Sequence, residues 1–459
     1  MGAETTENTT LEEGTLFRFA TAGSVDDGKS TLVGRLLHDS KAILADQLDA
    51  VARTSADRGF GGERGGLDLA LLTDGLRAER EQGITIDVAY RYFATDRRTF
   101  ILADCPGHVQ YTKNTVTGAS TADAVVLLID ARKGVLEQTR RHLSVAALLR
   151  VPHVVVAVNK IDLVDFSEPV FTAIAHDVAR LASELGLRDA VAVPVSALDG
   201  DNVVDRSDRT QWYSGPTLIE LLESLPSTDE LDDPGSAPTE PLRFPVQTVI
   251  RPQGALAPGL SEEEFRDYRA YAGQVTEGTV RVGDRVAVVT PGQAARETTV
   301  VGIDVAGRTL EEAAAPLSVA LRLADEFDVA RGDTIAAAGT LPESTADLYG
   351  SLAWLSSKPL REGAKVLVKH GTSTVRGLVR AVTGKLDLDS FEVAPASELA
   401  LNDIGEVQIR LAAPLPLEPY AAHRRTGAFL VIDPQDGNTL AAGMVRTHPG
   451  DTEDERYWI

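Results

Sequence analysis

The feature that most constrains this 459-residue chain is a glycine-containing loop near its amino terminus. The loop has the spacing G-x-x-x-x-G-K-S and consists of Gly23, Ser24, Val25, Asp26, Asp27, Gly28, Lys29 and Ser30, followed by Thr31. An apolar run precedes it and leucines at helical spacing follow it, so it is predicted to join a buried strand to a helix. In that context backbone amides and the helix N-terminus surround a polyphosphate, Lys29 reaches its β and γ phosphates, and Ser30 binds Mg²⁺.

A second segment, after the apolar run 99–103, carries predicted metal and phosphate contacts. It consists of Asp104, Cys105, Pro106, Gly107 and His108. Asp104 is expected to face the metal from the end of a strand, and the Gly107 amide is expected to face the γ phosphate. His108 is predicted to be catalytic, because a side chain at this place can orient the attacking water. An ordinary satisfied histidine is the interpretation for His38 and His142.

Between these segments, Thr85 ends a charged, glycine-containing stretch and precedes a predicted strand, 86–94. Its hydroxyl is predicted to bind Mg²⁺ and its amide to lie near the γ phosphate, so that loss of the phosphate releases the segment. A β-branched residue entering a strand has the same appearance, so this prediction depends on its neighbours. The predicted metal ligands are therefore Ser30, Thr85 and Asp104, and the predicted catalytic residues are Lys29, Thr85 and His108.

The identity of the nucleotide base is predicted from Asn159, Lys160 and Asp162, which follow the apolar run 154–158. The Asp162 carboxylate can accept two hydrogen bonds from guanine N1 and N2, which adenine cannot supply. Ser196, Ala197 and Leu198 follow another apolar run and could complete the pocket with a backbone amide to guanine O6. Together the segments predict a GTPase that uses GTP and Mg²⁺.

Composition excludes some classes of function. The chain has 68 acidic and 45 basic residues, a net charge of -23 and no dense basic run, which argues against a broad nucleic-acid-binding face. Cys105 is the single cysteine, so no intramolecular disulfide is possible and a reducing cytoplasm is expected. The amino terminus lacks the basic start and apolar run of a signal peptide, and no stretch is long enough to span a bilayer. A cytoplasmic protein without a membrane partner is predicted.

The order of predicted elements indicates an α/β P-loop GTPase domain followed by two β-barrel domains. Predicted strands such as 124–130 and 153–158 alternate with predicted helices such as 139–150 in the first part. This alternation predicts a mostly parallel sheet with flanking helices and an antiparallel hairpin edge through 95–98. Short alternating strands bounded by glycine turns predict the barrels. The predicted ranges are a disordered N-terminus 1–14, the GTPase domain 15–226, an acidic Pro-rich linker 227–241, barrels 242–342 and 343–446, and an acidic tail 447–459.

This architecture resembles the translation elongation factor superfamily, and residues 104–108 with Tyr111 and Asn114 fit that group. Within it, the chain is similar over about 16–445 to the GTPase subunits of bacterial sulfate adenylyltransferase, the CysN type. The similarity lies in Asp27 and in segments 34–40, 68–76, 81–93, 212–218, 243–247, 266–273 and 401–405. Cys105, Val109 and Thr115-Val116 depart from the family pattern and leave open how strongly hydrolysis is coupled to a partner.

The resemblance implies a subunit of ATP sulfurylase. Its GTP hydrolysis would drive synthesis of adenosine 5′-phosphosulfate and pyrophosphate from ATP and sulfate on a separate catalytic subunit, of the CysD type, in a heteromeric complex. A fused adenylylsulfate kinase, which many relatives carry, is not expected because the chain stops at Ile459. The alternatives are an elongation-factor-type GTPase that binds aminoacyl-tRNA, which the acidity disfavours, and a stand-alone regulatory switch.

Overall fold

The computed structural model describes residues 16–42, 51–55, 67–72, 88–108, 112–187, 190–231, 240–252, 263, 266–305 and 308–447. These residues form two compact units, with the boundary between Thr228 and Asp229. The predictions for Thr85, Val109, Tyr111, the N-terminus 1–14 and most of the tail 447–459 lie outside the described residues. The domain ranges given above stay predictions.

The first unit contains a six-stranded, mostly parallel sheet. Its strands are β1 (Leu16–Gly23), β2 (Ala89–Ala94), β3 (Thr99–Asp104), β4 (Ala124–Asp130), β5 (His153–Asn159) and β6 (Ala190–Pro194). The order is β2-β3-β1-β4-β5-β6, and only β2 runs antiparallel to its neighbour. A tight turn joins β2 to β3, in which the Thr95 amide donates to the Arg98 carbonyl at 2.9 Å. The predicted parallel sheet with an antiparallel edge is confirmed.

Helices cover this sheet because its central strands are mostly apolar and buried. They are α1 (Lys29–Asp39), α2 (Thr112–Ser120), α3 (Glu137–Leu148), α4 (Glu168–Glu184) and α5 (Leu218–Ser224), with 3₁₀ turns at Leu69–Leu72 and Ile161–Val164. Every residue of β4 and β5 is buried, as expected for a parallel sheet with helices on both faces. The predicted leucine face of α1 packs inward through Leu32, Leu36 and Leu37. A short helix, α6 (Thr228–Leu231), lies within the range predicted as a linker.

The second unit begins with a closed antiparallel barrel. Its strands are β7 (Arg243–Ile250), β8 (Ala270–Gln274), β9 (Thr279–Arg281), β10 (Arg285–Val289), β11 (Arg296–Val305), β12 (Arg308–Leu310), β13 (Glu312–Ala314), β14 (Ser318–Leu323) and β15 (Thr334–Ala337). The sheet order is β10-β15-β7-β8-β14-β11-β12, and the additional pairing of β10 with β11 closes it. Alternate side chains such as Phe244, Val286 and Leu321 fill the interior.

A second barrel of the same design follows. Its strands are β16 (Thr345–Trp354), β17 (Leu360–Arg361), β18 (Lys365–His370), β19 (Ser373–Leu386), β20 (Val393–Ala394), β21 (Glu398–Leu399), β22 (Ile404–Leu415), β23 (Ala428–Ile432) and β24 (Thr439–Val445). The order is β18-β23-β24-β16-β22-β19-β20, closed by the pairing of β18 with β19 around Leu352, Val368 and Ile409. The two predicted β-barrels are therefore confirmed. None of the helices in the described part of the chain is long and apolar enough to cross a membrane.

Candidate nucleotide-binding site

The predicted phosphate loop connects β1 to α1. Gly23 has a φ of 145° and Gly28 a φ of 95°, backbone conformations that favour glycine. Space also requires glycine at position 28, because a Cβ atom there would lie 2.4 Å from Asn159 Nδ2. The loop therefore turns at its two glycines, and one of them admits close approach of the segment predicted to recognise the base.

Lys29 opens α1, and its ammonium group turns back into the loop. Nζ donates to the Gly23 carbonyl at 2.9 Å and to the Ser24 carbonyl at 2.8 Å. The residue is 8% exposed. Burial lowers the pKa of Lys29, although the Asp27 and Asp104 carboxylates act in the opposite direction. A buried cation held by weakly basic carbonyls is suited to an anion that can replace them.

The Asp27 side chain stabilises the loop from within. Its Oδ2 accepts a hydrogen bond from the Ser24 amide at 2.7 Å, and Lys133 Nζ lies 3.8 Å from its Oδ1. Burial raises the pKa of Asp27, while the Ser24 amide and Lys29 lower it. Asp27 is therefore placed in the predicted loop with its carboxylate directed to the loop backbone. Ser24, Val25, Asp26, Ser30 and Thr31 lie in the same loop and in the first turn of α1.

The second predicted segment meets the phosphate loop because β3 lies beside β1. Thr21 Oγ1 donates to Asp104 Oδ1 at 2.9 Å, which fixes the carboxylate at the end of β3. Gly107 lies against Lys29, since a Cβ atom at position 107 would be 2.2 Å from Lys29 Nζ and 2.8 Å from the Gly23 carbonyl oxygen. Asp104 and Gly107 are thus brought to the predicted phosphate loop.

Cys105, Pro106 and His108 complete this segment. His108 is half-buried and follows Gly107 directly, so it is close to the Lys29 contact, but its catalytic role stays a prediction. Pro106 and Cys105 are buried. Burial, reinforced by Asp104, raises the pKa of the Cys105 thiol, and a Cβ atom at Gly118 would lie 2.4 Å from its sulfur. Cys105 is therefore a neutral packing residue beneath α2.

Asn159 joins the base segment to two other parts of the site. Its Nδ2 donates to the Asp27 carbonyl at 2.7 Å, and its Oδ1 accepts from the Ala197 amide at 3.0 Å. The loop Ser196 to Leu198, called the base loop below, follows β6, with Ser196 and Ala197 buried and Leu198 exposed. Asp162 lies half-buried in the following 3₁₀ turn. Asn159 therefore connects the predicted phosphate loop with the loop after β6.

Arg35 was not predicted to belong to the site. Its Nε donates from α1 to the Ala197 carbonyl at 3.2 Å, and its Nη2 donates to the Leu198 carbonyl. The residue lies one to two turns after the phosphate loop, on the side of α1 toward β6. It supports the base loop directly from the phosphate-binding helix. An arginine on a helix carries no local sequence signal for this contact.

Asp130 is a second residue that the sequence prediction missed. It ends β4 between β1 and β5 and is 1% exposed. Arg132 donates to it through Nε at 3.0 Å and Nη2 at 2.6 Å, and Lys160 Nζ lies 3.1 Å from its Oδ2. Burial raises the pKa of Asp130, but these hydrogen bonds hold it below its usual range. The sequence feature that could have identified Asp130 is its place at the end of an apolar strand, like that of Asp104.

The oxygen donors of Ser30 and Asp104 fit a magnesium ion, which prefers hydroxyl and carboxylate ligands and retains several waters. Among the described residues, Glu277, Glu418 and His423 of the second unit also have potential ligand atoms within 4.8 Å of one another. Arg243 Nε and Nη2 already donate to Glu418 at 2.7–3.1 Å, and His423 Nδ1 is 2.8 Å from Glu277. That cluster is an ion-pair network with its own cation.

Known proteins resemble this chain over nearly its whole length. Residues 15–228 match the family described as the Elongation factor Tu GTP binding domain, and residues 348–446 match GTP-eEF1A C-terminal domain-like. The bifunctional enzyme CysN/CysC of Mycobacterium tuberculosis is 47% identical over 94% of this chain and 67% of that protein. Sulfate adenylyltransferase subunit 1 of Cellvibrio japonicus is 46% identical over 95% of this chain and 87% of that protein. The corresponding protein of Sulfurovum sp. is 45% identical over 94% of this chain and 87% of that protein. The chain therefore belongs to the sulfate adenylyltransferase subunit 1 family of elongation-factor-type GTPases.

Proposed function

We propose that this protein is the GTPase subunit of a sulfate adenylyltransferase. GTP hydrolysis here drives the formation of adenosine 5′-phosphosulfate and pyrophosphate from ATP and sulfate on a separate catalytic subunit. The observation that carries the proposal is the connected site, in which Asn159 links the phosphate loop to the base loop. It occurs in a chain 45–47% identical to proteins named for sulfate adenylyltransferase.

Lys29 is proposed to bind the β and γ phosphates. Its ammonium group now donates to the Gly23 and Ser24 carbonyls, and phosphate oxygens are stronger acceptors for the same donors. Ser30 and Asp104 are proposed to hold Mg²⁺, which neutralises charge on the β and γ phosphates when bound. Thr85 is proposed as the third ligand on sequence grounds alone.

His108 is proposed to orient the water that attacks the γ phosphate, because it follows the Gly107 contact with Lys29. Asp162 is proposed to select guanine by accepting hydrogen bonds from N1 and N2. In the structure the Ala197 amide donates to Asn159. The base loop is therefore already ordered around Asn159, which limits the reorganisation that binding requires.

The partner is proposed to be the catalytic subunit, of the CysD type, that carries the ATP and sulfate site. Binding, cleavage and release of the γ phosphate would each favour a different conformation of the segments around Thr85 and His108. Each conformation would favour a different stage of the partner's reaction, which is how a favourable hydrolysis can drive an unfavourable synthesis. A cytoplasmic location is proposed from the single cysteine.

The test is pyrophosphate release from ATP and sulfate by this protein purified with the subunit it retains from its host. We expect release to require sulfate and to rise strongly with GTP, and the rise to disappear in Lys29→Ala. Glu184→Gln, in an exposed ion pair of α4 with Arg180, is the control and should behave as wild type. GTP hydrolysis indifferent to ATP and sulfate, together with salt-sensitive binding of aminoacyl-tRNA, would favour the translation-factor alternative.

A further inference from the structure

We propose that Asp130 is a positioning residue for the nucleotide site, which holds Lys160 against the phosphate loop and so couples base recognition to phosphate binding. The inference rests on the proposed guanine-nucleotide function. It assigns a role to a residue outside all of the segments predicted to contact the nucleotide.

The register of the sheet places Asp130 where it can act on Lys160. In the parallel pairing of β4 with β5, Asp130 is the partner of Asn159, and Lys160 is the next residue along the chain. Lys160 has a φ of 60°, a left-handed conformation that residues with a Cβ atom rarely adopt. Such a conformation persists only where surrounding contacts favour it. The ion pair with Asp130 at 3.1 Å is one such contact.

A second contact of Lys160 links the ion pair to the phosphate loop. Lys160 Nζ also donates to the Asp26 carbonyl, in the phosphate loop. Asp26 itself has a left-handed φ of 65°. One ammonium group therefore connects the end of β4, the base segment and a strained residue of the phosphate loop. Loss of the Asp130 charge would therefore weaken contacts to both the base and the phosphates of the nucleotide.

Arg132 makes this effect larger than the loss of one ion pair. Asp130 is buried and is shared by Arg132 and Lys160. Without the negative charge, two cations would face each other across a neutral group, although the Arg132 side chain is 47% exposed and the Lys160 side chain 24% exposed to solvent. The half-exposed Arg132 side chain can turn to solvent, whereas Lys160 would keep only its hydrogen bond to the neutral Asp26 carbonyl. Lys160 is therefore expected to be held less firmly against the phosphate loop.

The substitution Asp130→Asn is suited to test this because it keeps the shape of the side chain. The turn after β4 depends on the Asp130 carbonyl, which accepts from the Lys133 amide at 2.9 Å and the Gly134 amide at 3.0 Å. These backbone hydrogen bonds are unchanged in the variant. The asparagine oxygen can also continue to accept from the Arg132 amide.

The measurement is the affinity and dissociation rate of a fluorescent GDP analogue on the full chain. Asp130→Asn should weaken affinity about 10- to 50-fold, mainly through faster dissociation, because a shared buried charge is lost. Hydrolysis at saturating GTP should change less than about threefold, since no group that touches the reacting atoms is altered. In a Lys160→Gln background the same substitution should weaken affinity less than about threefold, because the two residues act as a unit. Glu184→Gln is the exposed acidic control.

Two results would overturn the inference. Unchanged affinity in Asp130→Asn would show that Lys160 keeps its place without the carboxylate. An equal loss in the wild-type and Lys160→Gln backgrounds would show that Asp130 acts through the fold instead of through Lys160. If Asp130→Asn does not fold, Asp130→Asn with Arg132→Gln removes one of the two unpaired cations and should still lose affinity. A wild-type chain that binds no guanine nucleotide would refute the proposed function itself.

Discussion

His142 makes the stability of the first unit depend on pH. It lies on α3 and is 2% exposed. Its Nε2 is 3.0 Å from Gln138 Nε2, and its Nδ1 is buried without a hydrogen-bond partner among the described residues. Burial lowers the pKa of His142 to about 3, and the positive charges of Lys29 and Arg141 act in the same direction. The folded state therefore holds a neutral imidazole. His142 is a buried residue, but its unpartnered Nδ1 differs from the satisfied surface or core histidine that the sequence interpretation expected.

The size of the effect follows from the two pKa values. An unfolded histidine has a pKa of about 6.5. Below that pH the unfolded chain binds a proton that the folded chain does not bind until the pH approaches 3, so stability falls as the pH falls. Each pH unit in this window costs about 1.4 kcal/mol. Between pH 7.5 and pH 5.0 the contribution of His142 amounts to a loss of about 2 kcal/mol.

The experiment compares wild type with His142→Leu in urea unfolding at pH 7.5 and pH 5.0. Hydrogen exchange of the peptide that contains α3 is the probe, so that the transition of the first unit is followed in the full chain. Leucine does not titrate, so the free energy of unfolding of wild type should decrease by about 2 kcal/mol more than that of the variant. Carboxylates titrate equally in both proteins and cancel. His176→Gln, at an exposed position of α4, should follow wild type.

Equal losses in wild type and His142→Leu would refute this reasoning. They would mean that the imidazole gains its proton in the folded state near its ordinary pKa, which requires water or an acceptor at Nδ1. A pH-independent penalty of His142→Leu, of up to about 1.5 kcal/mol, is expected from the change of shape and does not bear on the argument.

Two further predictions concern the nucleotide. Gly107→Ala would place a Cβ atom 2.2 Å from Lys29 Nζ and displace charge-assisted hydrogen bonds worth about 1.5–3 kcal/mol each. Single-turnover GTP hydrolysis should therefore fall roughly 100-fold. Hydrolysis at the wild-type rate would contradict the assignment of Gly107 to the γ-phosphate site. Asp162→Asn should weaken GTP binding about 100-fold and shift preference toward xanthine nucleotides, because an amide can donate where the carboxylate accepts. Competition binding with GTP and XTP measures the shift, and an unchanged GTP affinity would remove Asp162 from base recognition.

The sheet of the first unit could be predicted from sequence because its strands are short apolar runs with clear ends. The predicted strands 124–130 and 153–158 correspond to β4 and β5 within one residue. The predicted helix 139–150 starts two residues late and ends two residues late relative to α3. Its start is fixed by the Leu136 amide, which donates to Thr139 Oγ1 at 3.1 Å. Such a cap precedes the apolar period on which the prediction depended.

Closure of the barrels could not be predicted in detail. Glycine turns and alternating apolar residues indicated barrels, but the pairings that close them join strands whose partners depend on the whole sheet. The same limit applies to the site. Phosphate and base segments follow fixed spacings, whereas Arg35 reaches a carbonyl 162 residues away in sequence and Asp130 reaches Lys160, which directly follows the neighbouring strand β5. Side-chain contacts of this kind depend on strand order, which no local pattern encodes.

Asn159 explains why the two halves of the nucleotide site should act together. Its amide contacts the phosphate loop at one end and the base loop at the other, and Arg35 forms a second connection from α1 to the base loop. A movement of the phosphate loop would therefore be transmitted through these hydrogen bonds to the loop Ser196 to Leu198. Under the proposed guanine-nucleotide function, coupling between the two binding interactions is reciprocal, so tighter contact with guanine would also favour the phosphate-bound form of the loop. The nucleotide is then held by one cooperative unit, and weakening any connection within it should lower affinity for the whole nucleotide more than for either part.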